Sequence, residues 1–148
     1  MKHKIIPGIV FEQKVCELPQ DGTVYEAAKA MFEANVASTV IIDNDGKLIG
    51  IVTERDLTRR VLAKGLDAKE TRLEEVMTKN PDTLAPDDLP ADALELMRKR
   101  RYRHLPVAVD GRAVAMVSVR DLYKATKKIL EKAIGEDESF VFGNRYGA

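Results

Sequence analysis

The octapeptides Gly50-Ile-Val-Thr-Glu-Arg-Asp-Leu57 and Ala115-Met-Val-Ser-Val-Arg-Asp-Leu122 match at Val, Thr/Ser, Arg, Asp and Leu, and they lie 65 residues apart. In a chain of 148 residues, self-similarity at that period means that one structural unit occurs twice. A unit of about 60 residues buries too little surface to be stable alone, so the two copies are expected to pack against each other.

An offset of 65 extends upstream without a gap: Val24 aligns with Leu89, Ala28 with Ala93, and Asp45-Gly46 with Asp110-Gly111. Each copy opens on a short extended piece, around Val15–Leu18 and Thr83–Leu84. A helix with one apolar stripe follows, carrying Val24, Ala27, Ala28, Met31 and Phe32 in copy one and Leu89, Ala93, Leu96 and Met97 in copy two. Thr23 and Glu26 have capping-box spacing at the first start. Asp88 with Pro90 marks the second. Two strands come next, Thr39–Ile42 with Leu48–Val52 and Leu105–Val109 with Ala113–Val117, and the Asp-Gly between each pair signals a hairpin. Each octapeptide then runs from strand into a second helix, which ends at Gly65 in copy one and Gly135 in copy two. The expected fold is therefore mixed α/β, two β-α-β-β-α repeats packed through their sheets as a pseudo-two-fold pair.

Composition narrows the function. With 45% hydrophobic and 32% charged residues and no Trp, the chain should fold around an aliphatic core. Twenty-four basic side chains balance 24 acidic ones, so no global field gathers nucleic acid or acidic lipid. Cys16 is the only cysteine, which excludes an intramolecular disulfide and a Cys-rich metal site. Set in a buried strand with no His partner, it reads as an inert core thiol. No apolar run approaches the ~20 residues that span a bilayer. The start, Met1–Phe11, is too short and too broken by Pro7 and Gly8 for a secretory apolar region. A cytoplasmic location is expected, with no membrane partner and no obligatory cofactor or metal. Only His3 and His104 could act as imidazole bases, and no nucleotide-loop or metal-ligand spacing occurs, so no enzyme activity is expected.

The Gly-φ-φ-Thr/Ser-x-x-Asp segment (in copy two Ala115 replaces Gly), the Arg103-His-Leu-Pro-Val107 strand start, the Asp-Gly turn and the element order together resemble a tandem pair of CBS domains. CBS domains are the regulatory module named after cystathionine β-synthase. The resemblance covers roughly residues 10 to 134. It divides the chain into one domain over residues 10–66, a second over 71–134 and a tail over 135–148. It implies a disc-like pair with a cleft on each side of the pseudo-two-fold axis, commonly dimeric. Such pairs typically bind adenosyl ligands (AMP, ADP, ATP, S-adenosylmethionine or NAD-type molecules) and relay occupancy to a partner. Here that partner would be an unidentified effector protein or a second copy.

In the resembling family the Asp positions, here Asp56 and Asp121, take the ribose, and the Thr/Ser positions, Thr53 and Ser118, contact ribose or phosphate. The spacing suits this: the hydroxyl ends a strand and the carboxylate lies one turn into the next helix, beside N–H groups that favour an anion. A carboxylate can also accept two hydrogen bonds from a vicinal diol. The same spacing equally describes a helix cap with an N3 acid. Family resemblance also brings Arg103 and His104 to ligand phosphates across the cleft, where copy one has Ser38 and Thr39, so the clefts should differ. His104 reads equally as a half-buried strand-start histidine. Arg55 and Arg120 read either as exposed helix-start residues or as phosphate ligands. Val15, Leu18 and Thr83, on the opening extended pieces, complete the expected ligand-binding set.

Two other readings remain. One is a ligand-free dimerisation or scaffold module. The other is a nucleic-acid binder using Arg98-Lys-Arg-Arg-Tyr-Arg103, a basic run that also suits the C-terminal end of a helix. The tail residues Phe140, Val141, Phe142 and Tyr146 are expected to dock on the pair or on a dimer mate.

Overall fold

The computed structural model describes the backbone of residues 3–146 and the side chains of residues 3–135. Copy one contains β1 (Glu17–Pro19), α1 (Val24–Ala34), β2 (Ser38–Ile42), β3 (Leu48–Thr53) and α2 (Glu54–Asp56), which continues as a π-helical stretch over Leu57–Leu62. A connecting segment forms α3 (Leu73–Val76) and β4 (Thr78–Lys79). Copy two then gives α4 (Pro90–Arg100), β5 (His104–Val109), β6 (Arg112–Ser118) and α5 (Val119–Tyr146).

The first sheet has the order β1-β2-β3-β4, with β1 parallel to β2 and the other pairs antiparallel. The second sheet is β5-β6, and the chain extends it on both sides. Leu84 bridges Val107 in parallel, and the Gln13 N–H donates to the Val114 carbonyl at 3.0 Å.

Each core is closed by the segment that precedes the other copy. Leu73 and Val76, from the connection, are buried with Val24, Ala27, Met31 and Val52. Ile5, from the N-terminal turn Ile5–Ile9, is fully buried with Ala93, Met97, Val117 and Leu122. Its backbone N–H is held by the Asp88 carbonyl at 2.8 Å. Neither Ile5 nor the α3–β4 connection stands out from local periodicity, because the stripe each serves lies in the other copy.

Equivalent positions correct the gapless alignment. Ala27 and Met31 are buried on α1 as Ala93 and Met97 are on α4, a spacing of 66. Ser38 pairs with Thr53 as His104 pairs with Ser118. The spacing returns to 65 within the hairpin turn, because the second turn is one residue shorter: Ile42 pairs with Leu48, but Ala108 with Ala113. A one-residue slip moves a strand's side chains to the opposite face. Leu84, buried, is therefore the counterpart of Leu18, while Thr83 corresponds to Glu17 and is exposed.

Further expectations change. Phe32 is 85% exposed rather than part of the buried stripe. The second helix start is capped at Leu89, whose N–H donates to Asp92, while the Asp88 carboxylate accepts instead from the Ala85 N–H. Gly65 has the expected left-handed φ of 67°. Gly135 does not end a helix: α5 runs through it to Tyr146, at the modest cost of about 1 kcal/mol that glycine carries inside a helix. The side chains of Phe140, Val141, Phe142 and Tyr146, and so their docking, lie outside the described residues. Among the described residues no helix is long and apolar enough to cross a membrane.

Candidate functional site

Both octapeptides form capping boxes at the ends of central strands. The Asp56 carboxylate accepts from the Thr53 N–H at 2.9 Å, and the Thr53 hydroxyl accepts from the Asp56 N–H at 3.3 Å. Asp121 accepts from the Ser118 N–H at 2.8 Å and from its hydroxyl at 2.9 Å, while the Ser118 oxygen accepts from the Asp121 N–H at 3.1 Å. These contacts take Oδ2 of each carboxylate. Oδ1 of Asp56 lies 3.6 Å from the Arg60 guanidinium. The caps fix the corner geometry and leave acceptor capacity on each carboxylate.

Each corner lines a cleft at the seam between the copies. The Thr53 cleft, of about 820 Å³, brings Thr53, Arg55 and Asp56 together with Thr78, Pro81, Asp82 and the run Arg100–Leu105. The Ser118 cleft, of about 860 Å³, brings Ser118, Arg120 and Asp121 together with Gln13–Cys16 and Asn35–Ser38. Both volumes fall in the range of small-molecule sites, about 300–1,000 Å³. Arg103 and His104 line both clefts, as does Ala37. His104 is held below the usual histidine range mainly by burial and also by the Arg103 charge, while Asp121 and Glu54 oppose the shift.

Of the expected residues, Val15 and Ser38 lie in the Ser118 cleft. Thr39, Leu18 and Thr83 line neither cleft. Thr39 is fully buried and donates its hydroxyl to the Cys16 carbonyl at 3.0 Å, so it ties β2 to the chain before β1. Leu18 packs on the first core, and Thr83 is turned outward by the one-residue slip. Cys16 is not a core thiol: it is half-buried and lines the Ser118 cleft.

The basic run divides. Arg98 pairs with Glu95 at 2.9 Å on the exposed side of α4. Arg100, Arg101, Tyr102 and Arg103 line the Thr53 cleft, with Tyr102 also packed on the second core and Arg103 shared with the Ser118 cleft. Arg59, Arg60, Thr78 and Pro81 of that cleft carried no distinguishing local signal in sequence. The repeat geometry accounts for Pro81, because the corrected spacing of 66 makes Pro81-Asp82 the counterpart of Val15-Cys16.

Fold and site define a duplicated α/β pair with one cleft of small-molecule size beside each strand-to-helix corner. A family model described as "CBS domain" matches residues 13–63 and again 73–128, and the chain belongs to the CBS-domain family. A plant relative, the CBS domain-containing protein CBSCBSPB3 of Arabidopsis thaliana, is 36% identical over 121 residues. That match covers 81% of this chain, which spans only 22% of the relative's length. Among solved structures, the CBS domain pair of protein MJ0100, in complex with 5′-methylthioadenosine and S-adenosyl-L-methionine, is 25% identical with a TM-score of 0.77. The match covers 86% of this chain and 98% of that one. The CBS domain protein PAE2072 from Pyrobaculum aerophilum, complexed with AMP, is also 25% identical, with a TM-score of 0.71 over 82% of this chain and 89% of that one.

Proposed function

We propose that the chain is a regulatory module that binds an adenine nucleotide or related adenosyl ligand and signals its occupancy to a partner. The observation that carries this reading is the doubled corner: Thr53 with Asp56 and Ser118 with Asp121 each line a cleft of suitable volume. In each, the carboxylate would receive the ribose diol through acceptor capacity that the cap leaves free. Arg55, Arg120, Arg103 and His104 would meet phosphate, and Val15 and Ser38 would border the ligand in the Ser118 cleft. Structural neighbours bound to AMP, S-adenosylmethionine and methylthioadenosine support the ligand class.

In this reading the output goes to another protein or to another copy of the chain. The ligand would favour one arrangement of the pair, and a partner would prefer that arrangement. Exposed Leu62, Leu66, Leu130 and Ile134 support a homodimer. Light scattering should then give twice the chain mass, and a monomer at all concentrations would remove the dimer.

A melting-shift panel of AMP, ADP, ATP, S-adenosylmethionine and NADH tests the ligand class. At a hundredfold excess over Kd, a bound ligand adds about 2.7 kcal/mol of stability. No shift with any of them would favour a ligand-free scaffold.

A further inference from the structure

We propose that the two clefts select ligands of different charge. The Thr53 cleft takes an adenosyl polyphosphate, and the Ser118 cleft takes an adenosyl compound with little or no phosphate. This rests on the adenosyl reading above and assigns a ligand class to each half of it.

The two halves provide their own comparison. At the corrected spacing of 66, Asn35-Val36-Ala37-Ser38 in the Ser118 cleft correspond to Arg101-Tyr102-Arg103-His104 in the Thr53 cleft. These four positions bridge the end of each first helix and the start of its hairpin strand, and the left-handed residues Asn35 and Arg101 head the two sets. Arg103 and His104 reach both clefts, so what this backbone path gives to one cleft alone is Asn35, Val36 and Ser38 on the Ser118 side and the Arg101 guanidinium with Tyr102 on the Thr53 side.

The remaining walls differ in the number of guanidiniums rather than in net charge. The Thr53 cleft is lined by Arg55, Arg59, Arg60, Arg100, Arg101 and Arg103. Two of these face carboxylates within the cleft, Arg60 with Asp56 at 3.6 Å and Arg100 with Asp82 at 3.3 Å, and Glu54 is a third carboxylate on its wall. The Ser118 cleft has Arg103, Arg120 and Lys14 as its strong cations against the single carboxylate of Asp121, and Val15, Cys16, Val36 and Met116 among its walls.

A phosphate chain brings several negative charges, and each needs a partner once it leaves water. Guanidiniums supply paired donors that match phosphate oxygens. A ligand without phosphate in the Thr53 cleft would leave like charges facing one another. A polyphosphate in the Ser118 cleft would set excess charge against apolar walls. Arg103 lines both clefts, so it does not discriminate by itself, and Arg101 is the stronger candidate for selection.

The experiment isolates each cleft in the full chain. Asp121→Ala leaves the Thr53 cleft intact, and Asp56→Ala leaves the Ser118 cleft. Each variant is titrated with ATP and with 5′-methylthioadenosine. We expect Asp121→Ala to bind ATP at least tenfold tighter than methylthioadenosine, with the ATP affinity falling as salt rises. Asp56→Ala should bind methylthioadenosine at least as well as ATP. Adding Arg101→Asn, the copy-one residue and one that tolerates a left-handed backbone, should remove the ATP preference while keeping methylthioadenosine affinity. The same Arg101→Asn change in the parent chain, which keeps both corners, should selectively weaken ATP and serves if an Asp variant fails to fold.

Equal affinities in Asp121→Ala, tighter ATP binding in Asp56→Ala, or ATP binding indifferent to Arg101→Asn would overturn the division while leaving adenosyl binding in place. If the folded parent binds neither compound and none of the melting panel, the functional reading fails and the division with it.

Discussion

The Lys47 ammonium donates to the Asp110 backbone carbonyl at 2.6 Å, across the seam between the copies. The relation is reciprocal, for the Arg112 guanidinium donates to the Asp45 carbonyl at the same distance. Lys47 and Arg112, like Asp45 and Asp110, are 65 apart, so each hairpin turn clasps the other. The Leu48 N–H adds a backbone bond to the Gly111 carbonyl at 2.8 Å. Both side chains are exposed, which limits each bond to about 1 kcal/mol. Lys47→Ala and Arg112→Ala should each lower urea-unfolding stability by about that much or less. In a double-mutant cycle the two should be non-additive, because they share one interface. Strict additivity would mean that the turns do not act together.

Gly50 and Ala115 occupy equivalent places in the octapeptides, and the reason for the difference is local. A Cβ at Gly50 would collide with the Met77 thioether, which the connection lays over β3 in copy one only. Gly50→Ala should cost about 1–3 kcal/mol through overpacking. Combined with Met77→Ala, which makes room, the added penalty should shrink. Calorimetry on the four forms checks this, and an unchanged penalty in the Met77→Ala background would contradict the steric account.

Ile5 lies near the start of the chain, where truncation is ordinarily tolerated. Its full burial in the second core reverses that expectation. Ile5→Ala should destabilise by about 2–5 kcal/mol, the range for a large-to-small change in a packed core. A loss below about 0.5 kcal/mol would show that the N-terminal turn does not seal that core.

Burial holds His104 below the usual histidine value of 6.5, so the folded chain binds fewer protons than the unfolded chain as pH passes below that value. Its contribution to stability is therefore present above pH 6.5 and is lost as pH falls through the folded-state pKa. Urea midpoints taken between about pH 7.5 and 5 should decline on the acid side, and His104→Gln should flatten that decline. An identical slope in the variant would remove His104 as its source.

Those elements whose signals are local were legible in the sequence. The Asp-Gly turns, the Thr23–Glu26 cap and the two corners need only neighbouring residues, and each forms with its expected partners. What depended on the third dimension was not. The octapeptides and Asp-Gly turns fixed a spacing of 65, which hid the shorter second turn and displaced Thr83 by one residue. The paired burial of Ala27 with Ala93 and of Met31 with Met97 was the pattern that carried the true spacing of 66 upstream. Thr39 is polar and next to Ser38, yet strand alternation sends its hydroxyl into the sheet. Arg101 gave only a basic-run signal, and its place in a cleft follows from how α4 ends against the other copy's corner.

The most direct test of the central claim is a binding titration of AMP, ATP and S-adenosylmethionine into the parent chain and the double variant Asp56→Ala/Asp121→Ala, each confirmed folded by its melting curve. The two corners predict that the parent binds at least one of these ligands and that the double variant loses that affinity by at least a hundredfold. A parent that binds none of them, or a double variant that binds as tightly as the parent, would contradict the account.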